Sequence, residues 1–177
     1  MTDDPTEALR KLVRHVGQYP EQAYHFVREG LCRAALQVHG PETEAHRRLQ
    51  KYLVTHQLDW DDLAIRYHAS QLPPEVVEAI HEAGGYEKLN RHVSGRELCW
   101  ALRDYAIQCW GMLAREVLET WGITTTADFG RIVFGFIEFD MMQKQADDSV
   151  EDFTDVYSFD EAFRTVERDD RENRQGS

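Results

Sequence analysis

The sequence predicts an all-α fold: an irregular multi-helix bundle around one long central helix, with an acidic C-terminal tail. Three observations carry that expectation. Ser, Thr, Asp or Pro heads the apolar stretches and Gly follows several of them, which is the chemistry of helix starts and stops. Within those stretches apolar residues recur at spacings of three and four. Residues 146–177 hold eleven Asp and Glu against four Arg, so a net −7 of the chain's −12 lies there.

Taken in order, Asp4, Pro5 and Glu7 open a short helix through about Val16 that Gly17 closes. Pro20 starts a second, PEQAYHFVREGLCRAALQVHG, with Ala23, Phe26, Val27, Leu31, Ala34 and Val38 facing inward and Gly40 ending it. From Pro41 to about His56 the chain is charged, with a thin stripe of Ala45, Leu49, Tyr52 and Leu53, and reads as a peripheral helix. Leu58, Asp59, Asp62 and Leu63 combine a hydrophobic staple with a capping box for a short helix to about Ser70. Pro73 and Pro74 launch PEVVEAIHEA, which Gly84 and Gly85 stop.

The central element begins at Ser94. Its hydroxyl is placed to accept the Glu97 N–H while the Glu97 carboxylate reaches back, with Val93 and Leu98 spaced as a staple. The spacing predicts one helix from Gly95 to Trp121, with Gly122 as its left-handed terminus. At 100° per residue Leu98, Leu102, Tyr105, Ala106, Cys109, Met112, Leu113 and Val117 share a broad apolar face. Trp100, Ile107, Gly111, Ala114 and Leu118 form a second apolar stripe on the opposite side. Such a row left in water would be an unusual patch, so another segment of this chain or another subunit must cover it. Trp100, Ile107, Gly111 and Leu118 are therefore the candidate interaction residues. Gly111 either admits a close neighbour or bends the helix.

Thr124, Thr125 and Thr126 offer caps for the next helix, and Thr125 with Asp128 makes another capping box. Phe129, Ile132, Val133, Phe136 and Ile137 give it one stripe, although Ile132 to Phe139 is also rich in strand formers. Gly130 and Gly135 would let it pack closely against the central helix. The domain reads as 1–145, followed by an acidic-aromatic arm at 146–163 and a disordered tail at 164–177. The arm either lays Phe153, Val156, Tyr157, Phe159 and Phe163 onto its own domain, which is the favoured reading, or offers them to another protein.

Composition narrows the function. A chain of 177 residues can bury a core without staples. Net acidity argues against a nucleic-acid partner, because phosphate binding needs a basic surface. Three scattered cysteines, Cys32, Cys99 and Cys109, point to reduced thiols in a cytoplasmic protein, and no stretch suggests secretion or membrane spanning. No cofactor is expected.

Chemical candidates are few. Glu116 falls within the broad apolar face, where a buried carboxylate could act as acid, base or ligand; a wet Glu116 beyond the end of the core is the cheaper account. Glu78 and His81 make a single Glu-x-x-His, the unit that di-iron bundles use twice. His25 and Glu29, four apart, could hold a metal or form a local ion pair. Asp147, Ser149 and Glu151 mimic the start of a calcium loop, but Asp152 replaces its glycine.

The strings HVSGRELCWALRDYAIQCWGMLAREVLETWGI, DFGRIVFGFIE, MMQKQ and DSVEDFTDVYSF resemble an uncharacterised bacterial family restricted to Planctomycetes and Verrucomicrobia. The resemblance runs from about Arg91 to Phe159, with a weaker echo at AYHFVREGL. It implies no activity, fold or catalytic residues. Residues 42–85 do not match it and read as an insertion. Two functions remain open: a non-catalytic interaction or scaffold module that binds a protein partner or itself, or an enzyme or metal protein built on helix-borne Glu and His.

Overall fold

The computed structural model describes residues 4–142 and 148–164. Among them are α-helices and short 3-10 turns, with no strand, so the strand alternative at Ile132 to Phe139 falls away. The chain forms two compact units, residues 1–34 with 93–177 and residues 35–92, each with its own apolar core.

In the first unit, α1 (Pro5–Val16) is capped by the Asp4 carboxylate, which accepts the Thr6 N–H at 3.1 Å, and Gly17 ends it at φ 62°. Next, α2 (Glu21–His39) buries Ala23, Tyr24, Phe26, Val27, Gly30 and Ala34; its last residues, from Ala35, fall within the second unit. Leu31 is half-buried and Val38 is exposed, so the inward stripe stops sooner than its periodicity suggests.

The central rod starts where the sequence places it, with the reciprocal Ser94–Glu97 box, and is helical for 26 residues. It is not one straight helix. Helix α6 (Gly95–Trp110) ends at Gly111, whose φ of 54° and ψ of −124° suit only glycine; a 3-10 turn, Gly111–Leu113, then leads into α7 (Ala114–Thr120). This break re-aims the side chains beyond it. Met112 and Leu113, expected inside, are exposed, Leu113 by 56 %, and Cys109, ahead of the break and also expected inside, is exposed too. Ala114 and Leu118, expected on the second stripe, are fully buried in the unit's core. Gly122 then closes α7: the Ile123 N–H bonds the Leu118 carbonyl and the Gly122 N–H that of Glu119, both at 3.0 Å.

Helix α8 (Thr126–Glu138) buries Phe129, Ile132, Val133 and Phe136. Its glycines do not serve mainly to approach the central helix. A Cβ at Gly135 would sit 3.0 Å from Leu12 of α1, and one at Gly130 would sit 2.8 Å from Phe153. Phe153 belongs to a strap, residues 148–164, and drops into a notch whose other wall is Gly95, where a Cβ would also meet it at 3.0 Å. The Thr126 hydroxyl fastens the strap, donating to the Phe153 carbonyl at 2.6 Å and accepting the Val156 N–H at 3.2 Å. The Tyr157 hydroxyl donates to the Cys99 carbonyl at 2.7 Å, and its ring lies 4.7 Å from that of Trp100. Arg103 donates to the Ala162 carbonyl at 2.9 Å, and Arg115 pairs with Asp160 of the short α9 (Phe159–Ala162). The arm therefore lays its aromatics on its own unit, with Phe153, Phe159 and Phe163 buried in the core. Residues 165–177, most of the expected disordered tail, lie outside the described residues, as does Asp147 of the calcium-loop mimic.

The second unit contains the 42–85 interval. Helices α3 (Glu44–His56), α4 (Trp60–His68) and α5 (Pro74–Glu82) surround Ala45, Leu49, Leu53, Leu63, Val76, Ala79, Ile80 and Leu89. The thin stripe of α3 is thus no peripheral face: it lines a small core of its own. Helix α3 starts at Glu44, capped by Thr43, rather than at Pro41, and Asp59 with Asp62 boxes α4 as its spacing predicts. His46 is buried, with Nδ1 2.7 Å from the Thr43 hydroxyl and Nε2 3.4 Å from the Lys88 carbonyl. At the ends of this unit, Arg91 donates to the Gly40 carbonyl and His39 Nε2 to that of His92, each at 2.6 Å.

Candidate functional site

The first unit carries an open cleft of about 460 Å³ lined by His25, Phe26, Arg28, Glu29 and Cys32 of α2, Tyr105 and Trp110 of α6, and Trp121 just after α7. Three local features build it. Gly30 lets α2 come close to α6, since a Cβ there would overlap the Leu102 side chain and touch Tyr105. The Gly111 break ends α6 at Trp110, and the Gly122 turn holds Trp121 beside it. The Trp110 and Trp121 rings meet edge-on, 5.3 Å apart at 84°.

Phe26 is the floor. It stacks parallel to Tyr105 at 5.0 Å and touches Trp110 and Trp121 at 5.3 and 5.8 Å. Phe26 is buried, while Tyr105, Trp110 and Trp121 are half-exposed, so the cluster is a core on one side and a surface on the other. Such ring pairs add about 0.5–1.5 kcal/mol each beyond burial, which holds the floor rigid.

Charge is arranged along the α2 edge. The Glu29 carboxylate accepts from Arg33 at 3.1 Å, and that guanidinium lies over the Tyr105 ring, 4.3 Å from its centre. Burial, together with the neighbouring Cys109 thiol, raises the Tyr105 phenol above its ordinary value. His25 Nε2 lies 3.3 Å from Glu21, and Arg28 donates to His25 Nδ1 at 3.3 Å, which places the ring proton on Nε2. Arg28 pairs with no carboxylate among the described residues. The cleft offers a flat aromatic surface with the Arg28 guanidinium at its edge.

The sequence candidates fall elsewhere or in other roles. Glu116 is exposed, so the account that leaves it wet holds. Glu78 and His81 are exposed on α5 in the second unit, with His81 3.5 Å from the Tyr67 hydroxyl. His25 and Glu29 do line the cleft, but they do not pair with each other: His25 turns to Glu21 and Glu29 to Arg33. Among the described residues, no three His, Cys, Asp or Glu side chains converge as a metal site would require. Of the interaction candidates, Trp100 lies beside Tyr157 but is 39 % exposed, Ile107 is half-buried and Gly111 is the break; Leu118 is 0 % exposed and has no surface for a partner. Burial pushes the Cys99 thiol up to about 12, as expected of a core thiol rather than a nucleophile.

One buried polar network escapes sequence reasoning. Asp128, 3 % exposed, accepts from the Tyr19 hydroxyl at 2.5 Å, from Arg131 at 2.6 Å and from the Thr124 and Thr125 N–H groups at 3.0 Å. Burial pulls this carboxyl up, but those bonds and the Arg131 charge together hold it below its ordinary value. Burial and Asp128 raise the Tyr19 phenol to about 12. Both carboxylate oxygens of Asp128 are bonded at a helix start, which is the chemistry of a structural joint.

Fold and site define an all-α protein with an aromatic-floored cleft. No known family, no curated protein and no solved structure matches the chain. Among the described residues no helix is long and apolar enough to cross a membrane.

Proposed function

We propose that this protein is a non-catalytic interaction or scaffold module of the cytoplasm that binds a protein partner or a second copy of itself, with the aromatic cleft as its docking face. The observation that carries the reading is the pair of half-exposed indoles, Trp110 and Trp121, with exposed Met112 and Leu113 close by in the chain. Aromatic and methionine side chains on a rigid floor are what interface centres are enriched in, and Trp is the commonest anchor. The acidic chain makes nucleic acid a poor fit for the same face. Membership of the family that the stretch from Arg91 to Phe159 resembles belongs to the same proposal. The enzyme or metal reading has less support, since Glu116, Glu78 and His81 are solvated.

The test combines light scattering with capture. The wild-type protein should run as a dimer or retain a partner, and Leu113→Glu should abolish that while leaving the circular dichroism spectrum unchanged. A monomer that retains nothing, or capture indifferent to Leu113→Glu, would remove the reading.

A further inference from the structure

Resting on that reading, we infer that the cleft receives a protein segment in which an aromatic side chain is flanked by carboxylates. The first argument is charge. Around the floor Glu29 is neutralised by Arg33, and Glu21 is engaged by His25. Arg28, a third cation at the cleft, holds an imidazole nitrogen and no carboxylate among the described residues. A carboxylate beside an aromatic ring satisfies that guanidinium while the ring lies on Trp110, Trp121 and Phe26.

The second argument is the fold's own precedent. Elsewhere on the rod the strap binds with this same chemistry: Phe153, Tyr157 and Phe159 supply rings, Asp160 meets Arg115, and Arg103 donates to a carbonyl. An arginine-edged aromatic surface takes an acidic-aromatic segment there, and the cleft presents the same materials to solvent. The strap itself is spent, with Phe153, Phe159 and Phe163 buried. The occupant is therefore a segment of another protein.

Three N-acetylated, C-amidated tripeptides test the inference: Asp-Phe-Asp, Asn-Phe-Asn and Lys-Phe-Lys, titrated into the full chain with indole fluorescence as readout. The acidic peptide should bind about threefold tighter than the neutral one, as an exposed pair allows, and the basic peptide more weakly still. Arg28→Gln should bring the acidic and neutral peptides to equal affinity without changing the neutral one. Equal binding of all three, or preference for the basic peptide, overturns the partner chemistry and leaves the docking face standing. Binding of none overturns the inference as well, and the Leu113→Glu capture experiment decides separately whether the face docks anything.

Discussion

The two sides of the central rod are made of similar materials and end differently. On one side, Arg103 and Arg115 meet the strap, whose aromatics complete the core, while Trp100 lies beside Tyr157 and keeps 39 % of its surface exposed. On the other, Tyr105, Trp110 and Trp121 close over Phe26 only from below and stay half-exposed. A helix that is apolar on two sides therefore does not by itself call for a second subunit. Its chain can cover one face, and the face left open is the one to examine for a partner.

Substitutions on the two sides should separate stability from binding. Phe153→Ala empties the notch between Gly95 and Gly130 and should cost about 3–5 kcal/mol in urea unfolding, the range for a buried Phe. A loss under about 1 kcal/mol would mean the strap is not core. Asp128→Asn keeps the shape of the joint but removes the charge that Tyr19 and Arg131 serve, and should cost about 1.5–3 kcal/mol.

The same joint sets a pH dependence. With its folded pKa lowered, Asp128 contributes stability above its ordinary value of 3.8, and that contribution is lost as pH falls through and below it. Tyr19 has the opposite sense. Its folded pKa near 12 lies above the ordinary 10, so stability should decline as pH rises from 10 toward 12. Tyr19→Phe should lessen that alkaline decline, and an unchanged slope would deny the shift.

Gly130→Ala drives a Cβ into Phe153 and should cost about 1–3 kcal/mol as overpacking. Arg28→Gln in the cleft and Leu113→Glu in the turn after α6 should each change stability by less than about 0.5 kcal/mol, because both positions are exposed. A large loss at Arg28 would make the cleft part of the fold's support rather than a binding face.

The reach of each interaction decides how much of this could be read in the sequence. The helix starts at Asp59, Ser94 and Thr125 were legible because a capping box spans three residues. The all-α class was legible from the same caps and the helical spacing. The break at Gly111 was visible only as two alternatives, and choosing the straight one put Met112 and Leu113 inside and Leu118 on the surface stripe. The Phe153 notch joins residues 95, 130 and 153, and the Tyr19–Asp128 bond spans 109 positions. Neither leaves a local pattern. The cleft was hidden for the same reason: Phe26 and Tyr105 read as core, His25 and Glu29 as each other's partners, and nothing in the sequence marks Arg28.

The most direct test uses the four tryptophans, Trp60, Trp100, Trp110 and Trp121, as separate reporters. Indole N–H signals in a two-dimensional nitrogen–proton NMR spectrum should be followed while the Asp-Phe-Asp peptide is added. The account predicts that Trp110 and Trp121 shift together while Trp100, against the strap, and Trp60, in the second unit, stay in place. A shift of Trp100 with Trp110 and Trp121 unmoved would contradict it, placing the open face under the strap instead.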